Sequence, residues 1–241
     1  MSTLLLRLVG PMQAWDVQSN FSYRLTGLEP SKSGVIGLLC AALGKPRDEL
    51  PNDQRFPTLA ELATLKMGVR VDREGQVRRD FQTAGKDGYL KADGDVTNKN
   101  VVVSPRWYLA DAAFLVGVEG DVILLQKLHS ALQDPYWALF LGRKAFVPSE
   151  PIYLPNNLQE MDLLTALDEY KRLRPKRHKD DPDWMRGLVE DNEEGEIVRQ
   201  DHPISFARGI RKFALRRMRA VRFEDRPLLE ELKHVSLSPN S

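Results

Sequence analysis

Apolar residues fill almost every position from Leu4 to Val9, with Arg7 the one interruption. A strand covered on both faces gives that pattern, and Gly10-Pro11 ends it. Residues 11–30 are polar and irregular, and their aromatics Trp15, Phe21 and Tyr23 are expected to be exposed. Ser31 to Leu43 reads as a helix that Ser31 or Ser33 can cap and that Gly44, followed by Lys45-Pro46, stops. Thr58-Leu59-Ala60-Glu61 has capping-box spacing and starts a second, short helix. Val69 and Val71 alternate before Glu74-Gly75 and Val77, the pattern of a hairpin.

From Asp80 to Ser104 the chain is rich in Lys, Asp, Gly, Asn and Thr and has no strong apolar face; Phe81 and Tyr89 are its aromatics. Val101-Val102-Val103 returns to strand character, so a long hairpin or loop projecting from the body is expected here. Ala112 to Val118 is another buried-type strand. Asp121 to Leu132 is a helix, with Val122, Leu125, Leu128 and Leu132 at helical spacing and Asp134-Pro135 after it. Phe140 to Lys144 forms a glycine turn carrying two cations, Arg143 and Lys144.

Beyond residue 155 the pattern changes. Lys171 to Asp183 is almost entirely charged or proline, and Glu190 to Glu196 is acidic, which predicts a surface insertion over about 165–198. Ile204 to Phe223 is basic, with Arg208, Arg211, Lys212, Arg216, Arg217, Arg219 and Arg222. The order strand, helix, hairpin, strand, helix, strand predicts an α+β protein with a ferredoxin-like (RRM-like) core over 1–155. A hairpin at about 80–104 projects from it. A smaller C-terminal part, 156–241, holds the charged insertion and a basic strand region at 204–223.

Bulk properties change this picture little. A chain of 241 residues makes one large domain or two small ones. Its net charge of +1 implies no polyanion partner by itself, so the distribution of cations decides the matter. Cys40 is the only cysteine, so no intrachain disulfide can form; it lies in an apolar run and suits a buried small hydrophobe in a reducing, cytoplasmic setting. The N-terminal apolar run is too short to cross a bilayer, and no membrane role is expected.

Two stretches have the chemistry of a nucleic-acid site. In Pro30 to Gly44 a helix N-terminus meets Ser31, Lys32, Ser33 and Gly34. Unpaired backbone N–H groups, hydroxyls and an ammonium can seat a phosphate there. The same residues also describe a normally capped helix, with Gly34, Gly37 and Ala41 on one face allowing close packing. The spacing is not that of a nucleotide-triphosphate loop. In Gly10 to Trp15, Gln13 and Trp15 either line a pocket at a strand end or pack a turn. A single-strand grip needs cations along phosphates and aromatic planes for stacking. Trp15, Phe81, Tyr89, Trp107 and Tyr108 are the available planes, and the polar surroundings of Phe81 and Tyr89 favour their exposure.

Catalytic chemistry has thinner support. Metal-free RNA cleavage usually draws on histidine, and His129, His178, His202 and His234 all fall outside these stretches. Tyr23 and Lys32 are the nearest substitutes. One cysteine and four scattered histidines give no metal-ligand spacing, and no cofactor fingerprint is present. The alternative to a binding protein is a metal-independent endoribonuclease.

Five segments in shared order carry a resemblance: LRLVGPMQAW, PSKSGVIGLLCAALG, DFQTAG, RWYLADAAFLVGV and FLGRKAFVPSEPIYLP. Together they resemble the CasD family of Cascade subunits, RAMP-superfamily members of the type I-E CRISPR surveillance complex. The likeness runs over residues 1–155 and more loosely over 199–223. It implies a ferredoxin-like palm with a β-hairpin thumb that holds the five-prime handle of the crRNA without cutting it. The implied partners are the backbone-filament subunit, the large PAM-recognising subunit and, through the assembled complex, target DNA. Carried over by motif, Lys32, Ser33 and Gly34 face handle phosphates, with Ser31 beside them. Gln13, Ala14 and Trp15 line the handle pocket, and Phe81, Gln82 and Thr83 sit at the thumb base. Arg143 and Lys144 add backbone contacts. Arg24, Lys86, Arg106, Arg208 and Arg211 complete the expected RNA-binding set.

Overall fold

Alternation within the N-terminal apolar run sends Leu4, Leu6 and Leu8 into one core and Leu5 into another in the computed structural model of the chain. The structure describes residues 1–16, 23–49, 53–85, 88–90, 94–97, 102–176 and 181–226. In chain order the elements are β1 (Ser2–Val9), β2 (Met12–Gln13), α1 (Lys32–Leu43), α2 (Leu59–Thr64), β3 (Lys66–Arg73) and β4 (Gln76–Ala84). Then come β5 (Tyr89–Leu90), β6 (Val96–Thr97), β7 (Val102–Ala110), β8 (Ala113–Gly120) and α3 (Val122–Gln133). Last are β9 (Leu158–Gln159), α4 (Leu163–Glu169), β10 (Trp184–Glu190), β11 (Ile197–Ser205) and β12 (Lys212–Glu224).

The main sheet has seven strands in the order β11-β12-β10-β3-β8-β1-β9, each antiparallel to its neighbours. The succession β1-α1-β3-β8-α3-β9 lies within it. Helices α1 and α3 cover one face, burying Val35, Ile36, Leu39, Leu125 and Leu128 against Leu4, Leu6, Leu8 and Val116. Helix α4 covers the other face, where Leu163 and Leu167 meet Leu5, Leu115, Val189 and Phe223. Coverage on both sides is why β1 is apolar at successive positions.

Two glycines let α4 sit close to the sheet. A Cβ on Gly68 would lie 2.7 Å from Leu167 Cδ1, and one on Gly117 would lie 2.6 Å from Leu163 Cδ1. The end of α4 is held from below by the fully buried Arg70, whose guanidinium reaches the carbonyls of Leu167, Tyr170 and Lys171. Asp72 takes its other edge at 2.8 and 3.0 Å. Last-turn carbonyls that a helix leaves open are thus satisfied by one planar cation.

Three expectations are corrected here. The Val69–Val71 and Val77 segments do not form a hairpin with each other: β3 pairs with β8 and β10, whereas β4 pairs with β7. Glu74-Gly75 is a junction between two sheets. The projecting hairpin is longer than 80–104, running in unbroken register from Gln76↔Ala110 to Ala84↔Val102. The 165–198 stretch is not a surface insertion alone, because it contains the end of α4 and the interior strand β10, with Met185 and Val189 buried. Short apolar runs flanked by charge hide a strand from a composition argument. Strands β10, β12 and β11 extend the sheet of β1, β8 and β3 rather than making one of their own.

Gly117→Val should crowd Leu163 and cost about 1–3 kcal/mol of stability. The measurement is the urea midpoint at unchanged m-value.

Candidate nucleic-acid interface

The Gly10-to-Trp15 motif lies inside the protein. Gln13 is fully buried, and its side-chain amide donates to the carbonyls of Leu8 (3.0 Å) and Ala112 (2.9 Å). Its oxygen accepts from Trp15 Nε1 at 3.0 Å. The Trp15 ring packs against α1, where a Cβ on Gly34 would come 3.0 Å from Trp15 Cε3. Ala14 N–H donates to Leu141 O at 3.1 Å. Gly142, at φ 92°, passes so close that a Cβ would sit 1.7 Å from Ala14 O. The two glycine-containing loops therefore do meet, as backbone against backbone. Gln13, Ala14 and Trp15 are a bracket that locates these loops and not the walls of an open pocket.

The start of α1 is likewise engaged internally. Ser31 caps the helix by accepting from Gly34 N–H at 3.3 Å, and Gly44 ends it at φ 74°. Lys32 is 1% exposed, with Nζ on both carboxylate oxygens of Glu190 at 3.0 and 2.9 Å. Its N–H donates to Asp201 Oδ2 at 2.8 Å, and Arg216 grips the same carboxylate with two bonds of 2.8 Å. Burial holds the Lys32 ammonium below its usual pKa, against the pull of Glu190. The anion that this helix terminus attracts is supplied by the protein itself. This corrects the expected phosphate seat at Ser31 and Lys32. Ser33 and Gly34 remain half-exposed. The stripe of Gly34, Gly37 and Ala41 is half-exposed too, and Gly37 has no neighbour within 4 Å of its would-be Cβ. The sheet-facing side of α1 is Val35, Ile36, Leu39 and Ala42 instead.

Strand β12 is less free than its charge suggests. Besides Arg216, Arg219 pairs with Asp191 at 3.0 Å and Arg217 Nη1 donates to Gly195 O at 3.2 Å. The acidic run at 190–196 connects β10 to β11 and passes the middle of β12 near Met218, where Asp191 and Glu190 reach Arg219 and Arg216. Arg208 and Arg211 are exposed in the turn between β11 and β12, where Arg208 N–H donates to Asp48 at 3.2 Å and Arg211 lies over Phe213.

A different cluster gathers at the base of the β4–β7 hairpin. Arg24 bridges in parallel to Arg106, donating to Pro105 O (3.1 Å) and accepting from Trp107 N–H (2.8 Å). Arg143 Nη2 donates to the carbonyls of Arg24 (3.1 Å) and Leu25 (3.2 Å), so it ties the Gly142 turn to the same place. Its pKa is lowered first by burial and then by the nearby Arg106, with Arg24 adding to the effect and Asp16 and Asp80 opposing it. Arg106 Nε is buried without a hydrogen-bond partner. Lys144 is exposed beside Arg143. Arg106 and Arg143, both partly buried, and the exposed Arg24 outnumber the neighbouring Asp16 and Asp80, and this net positive charge favours an incoming anion.

The hairpin also presents aromatic planes. Phe81 and Tyr23 are 58% and 57% exposed, and Gln82 and Thr83 are exposed beside Phe81. Tyr89 is only half-exposed because it folds back on Gly85. Tyr108 is half-buried against Phe146. Trp15, expected at the surface, is buried. Lys86 and Phe21 lie outside the described residues. Sequence reasoning does not single out Arg79, although its i, i+2 spacing from Phe81 in a strand is the signal that places both on one face.

Residues 3–219 match the family described as CRISPR-associated protein (Cas_Cas5). The chain belongs to the Cas5 family. It is 32% identical over 179 residues to the CRISPR system Cascade subunit CasD of Escherichia coli (strain K12), covering 70% of this chain and 77% of that one. A structure described as a CRISPR RNA-guided surveillance complex holds a chain 34% identical, with a TM-score of 0.75 and coverage of 92% of this chain and 90% of the other. A crystal structure of a Cas protein is 39% identical, with a TM-score of 0.72 and coverage of 93% and 97%.

Within this Cas5 chain the described histidines stand apart from the arginine cluster. His129 Nδ1 meets Asn157 Oδ1 at 2.7 Å in α3, and His202 lies beside the Lys32–Glu190 group, its pKa lowered chiefly by burial. His178 and His234 fall outside the described residues. Among the described residues no group of three or more His, Cys, Asp or Glu could hold a metal ion. No helix of the described residues is long and apolar enough to cross a membrane.

Lys32→Met should strand Glu190 in the interior and cost about 3–5 kcal/mol of stability. Gln13→Leu should cost about 1–3 kcal/mol for each buried group that it leaves unpaired. Chemical denaturation measures both. A Lys32→Met protein as stable as the parent would mean that the buried pair is not formed.

Proposed function

We propose that this Cas5-family chain is the CasD-type, crRNA-holding subunit of a type I-E Cascade complex. The observation that carries the reading is the Arg24–Arg106–Arg143 cluster at the root of an outward hairpin with exposed aromatics. Cations that run short of carboxylates suit phosphates, and aromatic planes suit unstacked bases. The β1-α1-β3-β8-α3-β9 unit serves as a ferredoxin-like RAMP palm and the β4–β7 hairpin as its thumb. The thumb, the Gly142 turn and the 23–28 segment form the grip on the five-prime handle. Arg24, Arg106, Arg143 and Lys144 meet phosphates there, with Phe81, Gln82 and Thr83 along the thumb base. Arg143 also works as a positioning residue, through its bonds to the Arg24 and Leu25 carbonyls. Ser33 and Gly34 keep a part at the α1 face, and Arg208 and Arg211 make a separate contact from the β11–β12 turn.

On this reading the chain binds RNA and assembles with a backbone-filament subunit and a large PAM-recognising subunit, and meets target DNA only within the complex. It works without catalysis in the cytoplasm and needs no cofactor. The endoribonuclease alternative gains no favouring observation: the described histidines are engaged away from the cluster.

Co-expression with the other Cascade subunits, followed by sequencing of bound RNA, should recover crRNA. Its absence from an assembled complex would sink the proposal. Arg24→Ala and Arg106→Ala should each weaken handle binding and reduce the slope of log K against log salt by about 0.7 for each phosphate no longer neutralised. Site-specific cutting of repeat RNA by the purified chain in chelator would instead establish the nuclease reading.

A further inference from the structure

The register of the hairpin separates its two faces. Asp80 stands opposite Arg106, which puts Arg106 on one face. Arg79 stands opposite Trp107, and Phe81 opposite Pro105, so Arg79, Phe81 and Trp107 share the other. Tyr23 joins that second face from the 23–24 segment beside β7, stacking on Trp107 with ring centroids 6.1 Å apart and planes at 29°. The Arg79 guanidinium lies 4.7 Å from the centroid of Phe81 and 5.8 Å from that of Trp107.

The result is a run of four flat groups in the order Tyr23, Trp107, Arg79, Phe81. Both end rings are open, at 57% exposure for Tyr23 and 58% for Phe81, and Arg79 between them is exposed as well. Guanidinium stacking on an aromatic face pre-sets the planes without a covering core. The backbone bonds of Arg24 to Pro105 and Trp107, with Arg143 on the Arg24 carbonyl, hold the segment that carries Tyr23. The polar groups interleaved on this face are a cation and hydroxyls, Arg79, Tyr23 and Thr83, and the arginine cluster lies just across the strand. A ligand that carries negative charge and flat, uncharged planes at regular intervals meets both demands, as a nucleic-acid strand does with a phosphate and a base in every nucleotide; a lipid offers no planes.

Resting on the RNA-holding reading, we propose that Tyr23, Trp107, Arg79 and Phe81 form a stacking platform for an unpaired nucleobase, separate from the arginine cluster that meets the phosphates. A base extruded from the single strand lies on the exposed ring of Phe81 or Tyr23. The platform contributes binding that is tolerant of base identity and insensitive to salt. The arginine cluster supplies the salt-dependent part.

The test uses the full chain and two probes of equal length, an oligouridylate and the same ribose-phosphate strand with abasic sites throughout. The parent should bind the oligouridylate about tenfold tighter, within the range of one stacked base. Phe81→Ala combined with Tyr23→Ala should erase that preference and leave the salt slope unchanged. Because both side chains are largely exposed, these variants should fold, and Phe81→Leu provides a milder check. Arg106→Ala should weaken both probes alike. Photocrosslinking of a 4-thiouridine strand in the assembled complex should map to the peptides holding Tyr23 or Phe81. Equal affinity of the parent for both probes, with Arg106→Ala still weakening them, overturns the platform and leaves the RNA-holding reading standing. So does crosslinking of Phe81 to a partner protein instead of RNA. Failure to bind either probe, alone and in the complex, overturns both.

Discussion

The side-chain amide of Gln13 is where four segments of this protein meet. Its two donors close the carbonyl of Leu8 at the end of β1 and that of Ala112 at the start of β8, and its oxygen holds the Trp15 indole. Trp15 in turn seats the first turn of α1 at Gly34, and Ala14 takes the Gly142 turn on its backbone. A buried amide with all three of these groups satisfied is costly to disturb in any one part. The hairpin rises from this end of the sheet, because β3 and β8 both have their hairpin-side ends here. The geometry of the candidate site therefore descends from a residue that does not itself face the solvent.

A second constraint joins the first helix to the last three strands. Lys32, Glu190, Asp201 and Arg216 bring two positive and two negative groups together in the interior, and their hydrogen bonds satisfy one another. Buried ions are tolerated when so paired, and removing one partner leaves an uncompensated charge. The acidic and basic runs near the C-terminus, which look like separate charged surfaces in the sequence, touch where the β10–β11 connection passes β12. Arg216, Arg217 and Arg219 of β12 are engaged within the protein, and a second, partly desolvated arginine cluster lies at the hairpin root.

That hairpin is divided by the pleat. One face of the hairpin carries Arg106 next to Arg24 and Arg143; the other carries the stacked planes. On the proposed reading, this two-residue period separates the groups suited to phosphates from those suited to bases. Gly142, with backbone at 1.7 Å from any added Cβ, is what allows Arg143 to reach the 24–25 carbonyls from a loop far away in sequence.

By itself the sequence determined several elements and their caps. The Ser31 cap, the Gly44 stop, the Thr58–Glu61 capping box and the doubly covered β1 all follow from periods and caps that act over a few residues. It also marked Arg24, Arg106, Arg143 and Phe81 among the residues of the proposed RNA grip. Only the tertiary structure decided which polar groups are used up inside. Gln13, Trp15, Ser31 and Lys32 carry the right chemistry for a nucleic-acid site, and burial spends that chemistry on Leu8, Ala112, Gly34, Glu190 and Asp201. The partners of Lys32 lie 158 and 169 residues away, a separation across which no local pattern operates. Strand β10 stayed hidden for the same reason: its few apolar residues become a strand only when the edge of β3 is there to pair with them.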